Sequence, residues 1–249
     1  MSSPDLTSGG ATPPGAVPPP QPVAGDEGKA IGRLPGPLAW ITNRLGMEEL
    51  MEDQYNRIVP IHATNYIYCF GGIAFILFLI LAVTGILLVV YYQPTPDAAY
   101  QSVVNISTNV TFGWWVRSIH RWAATGMVVL VVVHMARVFF TTAYKRPREL
   151  NWISGVVLLL VTMGFGFTGY LLPWDQKAYW ATRVGTDIAG STPLIGHFLL
   201  VSLRGGENIT GATLGRFFTL HVLVLPAIII VFLGAHFWMI RRHGISGRL

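Results

Sequence analysis

Four long apolar runs decide what this chain can become. They cover about residues 66–92, 113–140, 152–172 and 217–240. About 20 helical residues, at a rise of ~1.5 Å each, cross a hydrocarbon core ~30 Å thick, and each run is about that long or longer. Hydrocarbon offers no water to backbone N–H and C=O groups, so each run is expected to form a transmembrane helix. Composition agrees: 52% of the 249 residues are hydrophobic and only 12% are charged, with a mean hydropathy of +0.50. A soluble domain carries about twice that share of charge. The net charge of +5 could suggest nucleic acid. The basic residues, however, cluster beside the apolar runs, where they set membrane topology, so no nucleic-acid partner is expected. A single cysteine, Cys69, excludes an intrachain disulfide.

The N-terminal segment is different in kind. Residues 1–36 are expected to be a disordered tail, with six prolines between Ala11 and Pro22 and no apolar stretch resembling a secretory leader. Over 37–58, Trp40, Ile41, Leu45, Met47, Leu50 and Met51 recur near helical spacing beside Arg44, Glu48, Glu49, Glu52 and Asp53. That pattern fits an amphipathic helix on the membrane surface or against a partner. Residues 59–249 then form the membrane domain. Lys145, Arg146 and Arg148 follow the second run, Arg241, Arg242 and Arg248 follow the fourth, and residues 93–112 hold no Lys or Arg. Both termini and the 141–151 loop are therefore expected on the negative, cytoplasmic side.

Ionisable or metal-binding side chains inside a membrane are costly and usually functional. Four of the seven histidines fall inside the second and fourth runs: His120 and His134, 14 apart, and His221 and His236, 15 apart. At ~100° per residue these intervals drift by about −40° and +60°, so each pair looks broadly one way, about 21–22 Å apart along its helix. The two runs point in the same direction. His120 can face His221 near the positive side, and His134 can face His236 near the negative side. Two layers of paired imidazoles inside a bundle are what two bis-histidine haems require. A lone intramembrane histidine is more often a hydrogen-bonded polar residue. The shared registry of four favours ligation.

Two glycine pairs repeat the interval of 14: Gly71 with Gly85 in the first run, and Gly155 with Gly169 in the third. They read either as places where a flat macrocycle approaches the backbone or as small-residue helix packing. Arg117 precedes His120 by three residues and Arg137 follows His134 by three, with Arg121 also adjacent. These arginines suit haem propionates, or else snorkel to the interface.

Several segments carry a family resemblance: NYIYCFGG (65–72), FGWWVRSIHRW (112–122), YKRPRELNW (144–152), FGFTGYLLPWDQKAYWA (165–181), GRFFTLHVLVLP (215–226) and AHFWMIRRHGISG (235–247). From Pro37 to Leu249 the chain resembles cytochrome b6 and the similar short cytochrome b of bacterial menaquinol–cytochrome c reductases. The resemblance implies an all-α integral membrane fold, a four-helix di-haem bundle. It implies two b haems, on His120 with His221 and on His134 with His236. It also implies one haem c held at Cys69 by a single thioether bond, although alone an apolar-helix cysteine reads as a small packing residue. Arg241 matches a residue near the negative-side quinone site. Tyr170, Pro173, Trp174 and Asp175 fall where the family's positive-side quinol pocket is lined or braced.

The function implied is electron transfer within a quinol:cytochrome c (or plastocyanin) oxidoreductase. Electrons would pass from positive-side quinol, taken as menaquinol, through two b haems to a negative-side quinone in a proton-translocating Q-cycle. Implied partners are a subunit IV-like chain, a Rieske iron–sulfur protein, a cytochrome c or f, membrane lipid and a second copy of the complex. The implied location is a bacterial cell membrane or a thylakoid membrane. The PEWY signature is missing, as expected if the remaining helices sit on another chain. Two features depart from the family: the proline-rich extension, and an ending GISGRL where GISGPL is common. A rival reading is a di-haem membrane anchor that relays electrons for a hydrogenase or formate dehydrogenase.

Overall fold

The computed structural model describes residues 68–244 together with Pro37, Trp40 and Arg44. The expected tail over 1–36, most of the expected surface helix over 37–58, His62 and the end of the chain from residue 245 lie outside the described residues. The chain divides into two compact units, residues 1–58 and 59–249. In the first, Pro37, Trp40 and Arg44 are helical, and the Arg44 guanidinium lies 5.5 Å from the centre of the Trp40 ring. The remainder concerns the second unit.

Among its described residues there are helices and no strands. In order they are α1 (Phe70–Val89), α2 (Ala99–Thr108), α3 (Gly113–Phe140), α4 (Glu149–Leu171), α5 (Gln176–Gly190), α6 (Gly196–Arg204), α7 (Gly211–Thr219), a π-helical turn (Leu220–Val224) and α8 (Leu225–His243). Four helical stretches can cross a membrane: α1, α3, α4 and the continuous Gly211–His243 segment. The apolar runs locate all four. Their ends differ by a few residues, and the fourth starts earlier than its apolar run because α7 carries Thr and Arg residues. Only 11% of the most apolar window in each span is buried. Side chains such as Val83, Ile86, Leu160 and Val231 point outward, the surface that lipid or partner helices would cover.

The spans pack as two pairs, α1 on α3 and α4 on α8, with α3 also against α4. Met127, Leu158 and Ile229 form an apolar layer at the bundle centre, surrounded by Leu77, Phe78, Val131 and Phe232. A second cluster of Ala99, Leu171, Ala178, Leu214 and Phe217 closes one end, where α2, α4, α5 and α7 meet. Arg148 ties the other end, donating to the carbonyls of His243 and Gly244 at 3.3 Å. The α3–α4 loop and the end of α8 therefore share one end of the bundle.

The π turn resolves the unequal histidine spacing. Pro226 has no N–H for the Val222 carbonyl, and its ring crowds that carbonyl. The wider turn at 220–224 makes room immediately before it. A π turn holds about one residue more than an α turn, so the 15-residue interval behaves as one of 14. The expected divergence of about +60° in the fourth span is thus corrected to about −40°, matching the second.

Short helices organise the loops. Asp175 caps α5 by accepting from the Ala178 N–H at 2.8 Å, and Thr210 with Thr213 forms a capping box on α7. Arg204 is 3% exposed. Its guanidinium donates to Asp187 at 2.6 Å, Thr186 at 2.7 Å and the carbonyls of Glu207 and Arg183 at 2.9 and 3.0 Å. Thr213 donates back to the Arg204 carbonyl at 2.7 Å. One arginine therefore joins α5, α6 and the start of α7. Arg204→Met is expected to destabilise this loop domain by about 2–3 kcal/mol, less than the ~3–5 kcal/mol of a fully buried pair because Asp187 is half exposed. Hydrogen exchange should accelerate across residues 176–213 while the spans stay protected; unchanged exchange would show that Arg204 is dispensable.

Candidate functional site

The four histidines come from two helices that face each other across the bundle. The His120 and His221 rings lie with centres 6.4 Å apart and planes inclined by 67°. That separation leaves room for one ion between facing nitrogens, at the ~2.0–2.1 Å usual for imidazole ligation. In the second layer His134 lies against Gly71 and His236 against Gly155. The apolar layer of Met127, Leu158 and Ile229 separates the two layers of histidines.

Each interval glycine lies against one imidazole. A Cβ on Gly71 would stand 2.9 Å from His134 Cε1, and one on Gly169 only 2.6 Å from His221 Cε1. At Gly85 and Gly155 the corresponding distances, to His120 and His236, are 3.4 and 3.5 Å. The glycines of α1 thus serve the histidines of α3, and those of α4 serve His221 in the π turn and His236 in α8. The sequence left two readings, approach to a macrocycle or small-residue helix packing; the structure shows room for the imidazole itself.

It missed the hydroxyls that precede three of these glycines. Thr84 Oγ1 is 2.9 Å from His120 Nδ1, Thr168 Oγ1 is 3.1 Å from His221 Nδ1, and Ser154 Oγ is 2.8 Å from His236 Nδ1. The dipeptides Thr84-Gly85, Ser154-Gly155 and Thr168-Gly169 were a readable signal.

The arginines separate by environment. Arg137 lies 4.0 Å from the centre of the Tyr68 ring, and its Nε is buried with no hydrogen-bond partner among the described residues. Buried donors are rarely left so, and this one sits a turn from His134. Arg117 is exposed and donates to Ser107 at 3.2 Å on α2, while Arg121 is exposed on α3. Arg241 is half-buried in the last turn of α8, at the Arg148 end. Cys69 is exposed and immediately precedes α1, two residues before the glycine that faces His134.

The residues at the end of α4 have firm structural roles. Tyr170 is exposed. Trp174 adopts a left-handed φ of 52° and packs on the end cluster, and Asp175 caps α5. Nearby, the Tyr92 hydroxyl donates to the Leu172 carbonyl at 2.7 Å. Among these described residues, a turn with a non-glycine in the left-handed region is held by packing on both sides.

A family profile described as Cytochrome b/b6/petB matches residues 56–244. The chain is 46% identical over 210 residues to cytochrome b6 of Synechococcus sp. (strain RCC307), covering 84% of this chain and 96% of that one. The same figures hold for cytochrome b6 of Prochlorococcus marinus (strain NATL1A). Among solved structures, a chain of "Hyperthermophilic respiratory Complex III" superposes with a TM-score of 0.77 and 33% identity over 84% of this chain. The present chain spans 56% of that neighbour's length.

The glycine distances order the effects of a methyl group. Gly169→Ala and Gly71→Ala are expected to displace the facing imidazole and lower haem bound per polypeptide at least severalfold. Gly155→Ala, an ordinary contact, is expected to leave it near wild type. Absorbance of the purified complex normalised to protein tests the order; equal loss in all three would remove the close-approach argument. Deleting Val222, which turns the π turn into an α turn, should keep both haems.

Proposed function

The chain belongs to the cytochrome b/b6 family, and we propose that it is the two-haem transmembrane subunit of a bc/b6f-type quinol–cytochrome c (or plastocyanin) oxidoreductase. The observation that carries this reading is the facing His120–His221 pair, 6.4 Å between ring centres, inside a bundle of four apolar helices. The residues present fit the haem groups the family implies. His120 with His221, and His134 with His236, would supply the iron ligands. Gly71, Gly85, Gly155 and Gly169 leave the space at each ring. Arg137, with its unpartnered buried Nε, would meet a propionate.

When bound, the haems supply one-electron carriers on either side of the bundle centre. The chain's own residues bind and orient them. Met127, Leu158 and Ile229 keep the space between the two layers dry. Arg117 and Arg121, exposed at the other end of α3, would pair with propionates of the His120–His221 haem.

The finer assignments follow the family. Cys69 would hold a haem c by one thioether bond, and its place beside the His134 level supports that role. Tyr170, Pro173, Trp174 and Asp175 would brace a quinol pocket at the positive end, and Arg241 would serve a quinone site at the opposite end. The substrate is proposed to be menaquinol, with proton release and uptake on opposite sides of the membrane. The basic loop over Lys145–Arg148 shares an end with the close of α8, which supports placing both on the cytoplasmic side. A subunit IV-like chain, a Rieske protein and a cytochrome c or f would complete a dimeric complex in a bacterial or thylakoid membrane.

A pyridine haemochrome assay on the purified complex, before and after acid–acetone extraction, tests the cofactor set. Two extractable b haems and one haem retained on this polypeptide are expected. Cys69→Ala should abolish the retained haem alone, and His221→Ala should remove one b haem. No residual haem on the wild-type polypeptide would return Cys69 to a packing role, and both b haems surviving in His221→Ala would overturn the pairing.

A further inference from the structure

We infer that Thr84, Thr168 and Ser154 hold three of the four bundle histidines with the proton on Nδ1, and that His134 is the one ligand left without such a lock. This rests on the haem assignment above. A hydroxyl has one proton to donate. Thr84 donates its proton to the Ile80 carbonyl at 2.7 Å, Thr168 to the Gly164 carbonyl at 2.7 Å, and Ser154 to the Asn151 carbonyl at 2.8 Å. Each oxygen can then only accept from the imidazole facing it. The nitrogens at 2.9, 3.1 and 2.8 Å must therefore be the donors. With the proton on Nδ1, the Nε2 lone pair is free for a metal.

His134 is different. Among the described residues no hydroxyl faces its ring as hydroxyls face Nδ1 of the other three, and Phe70 precedes Gly71 where the other three glycines follow Thr or Ser. The layer of His120 and His221 therefore has two locks, and the layer of His134 and His236 has one. An N–H bond from the ring nitrogen opposite the metal raises ligand basicity and favours the oxidised iron. Thr84, Thr168 and Ser154 act through the histidines and are positioning residues.

Potentiometric titration of the b haems in the intact purified complex tests this. Thr84→Val and Thr168→Val should each raise the midpoint of the His120–His221 haem. The expected size is about tenfold in the reduction equilibrium, ~59 mV for one electron, at the low end of effects from partners behind a metal ligand. Ser154→Ala should raise only the other midpoint, and Thr84→Ser should match wild type. Phe70→Ser, which adds a hydroxyl before Gly71, should lower the midpoint of the His134–His236 haem. The inference is overturned if Thr84→Val and Thr168→Val retain haem and leave the midpoint where Thr84→Ser leaves it. If the valine variants lose haem, retention in Thr84→Ser supports the hydroxyl, and loss there too overturns it. A wild-type complex without b haem would instead defeat the underlying haem assignment.

Discussion

Hydrocarbon cannot satisfy a polar group, and most of this structure is organised by that fact. It drives the backbone of each apolar run into a helix, where every internal N–H has a carbonyl. It then applies to the imidazoles. His120, His221 and His236 lie among apolar helices and still need partners for their ring nitrogens, and Thr84, Thr168 and Ser154 supply them from the helix alongside. Those hydroxyls sit on helices whose own carbonyls take their protons, so no group is left over. The exceptions are informative. Arg137 Nε and Asn151 Oδ1 are the buried side-chain atoms without partners among the described residues. The first lies a turn from His134, where the family's cofactor would meet it.

Each pair of packed helices therefore divides the labour. One helix carries the imidazole, and the other carries a glycine that makes room and, in three cases, a hydroxyl that faces the ring. The pairing of α1 with α3 and of α4 with α8 follows from this, as glycine intervals of 14 match histidine intervals of effectively 14. The π turn before Pro226 makes that match possible in the fourth span. A straight α-helix would have rotated His236 about 100° away from the position its partner requires.

The end of the bundle away from the basic loop is built differently. There α2, α5, α6 and α7 fold over the helix ends on an apolar cluster and on Arg204. A buried guanidinium with several oxygen partners holds irregular chain more firmly than apolar contact alone, because each bond has a required direction. The turn at Trp174, with its left-handed φ, is clamped between this cluster and the capped start of α5. That is a stiff frame for residues proposed to border a quinol pocket.

Much of this was written in the order of the residues. Apolar length set the four spans, because membrane thickness sets a minimum helix length whatever the helix packs against. The histidine and glycine intervals exposed the two layers, because helical periodicity turns sequence distance into angle. What sequence reasoning missed depends on contacts between helices. The Ser and Thr residues have an ordinary local explanation, back-bonding to their own helix. Only the approach of α1 to α3 and of α4 to α8 shows that they also face imidazoles. Nothing in the sequence neighbours of Arg204 announces that α5 and α7 will close over it. The π turn was hidden too, since one extra residue changes an interval by only one, and the tertiary requirement that both histidines face the same partner decided where it would be absorbed.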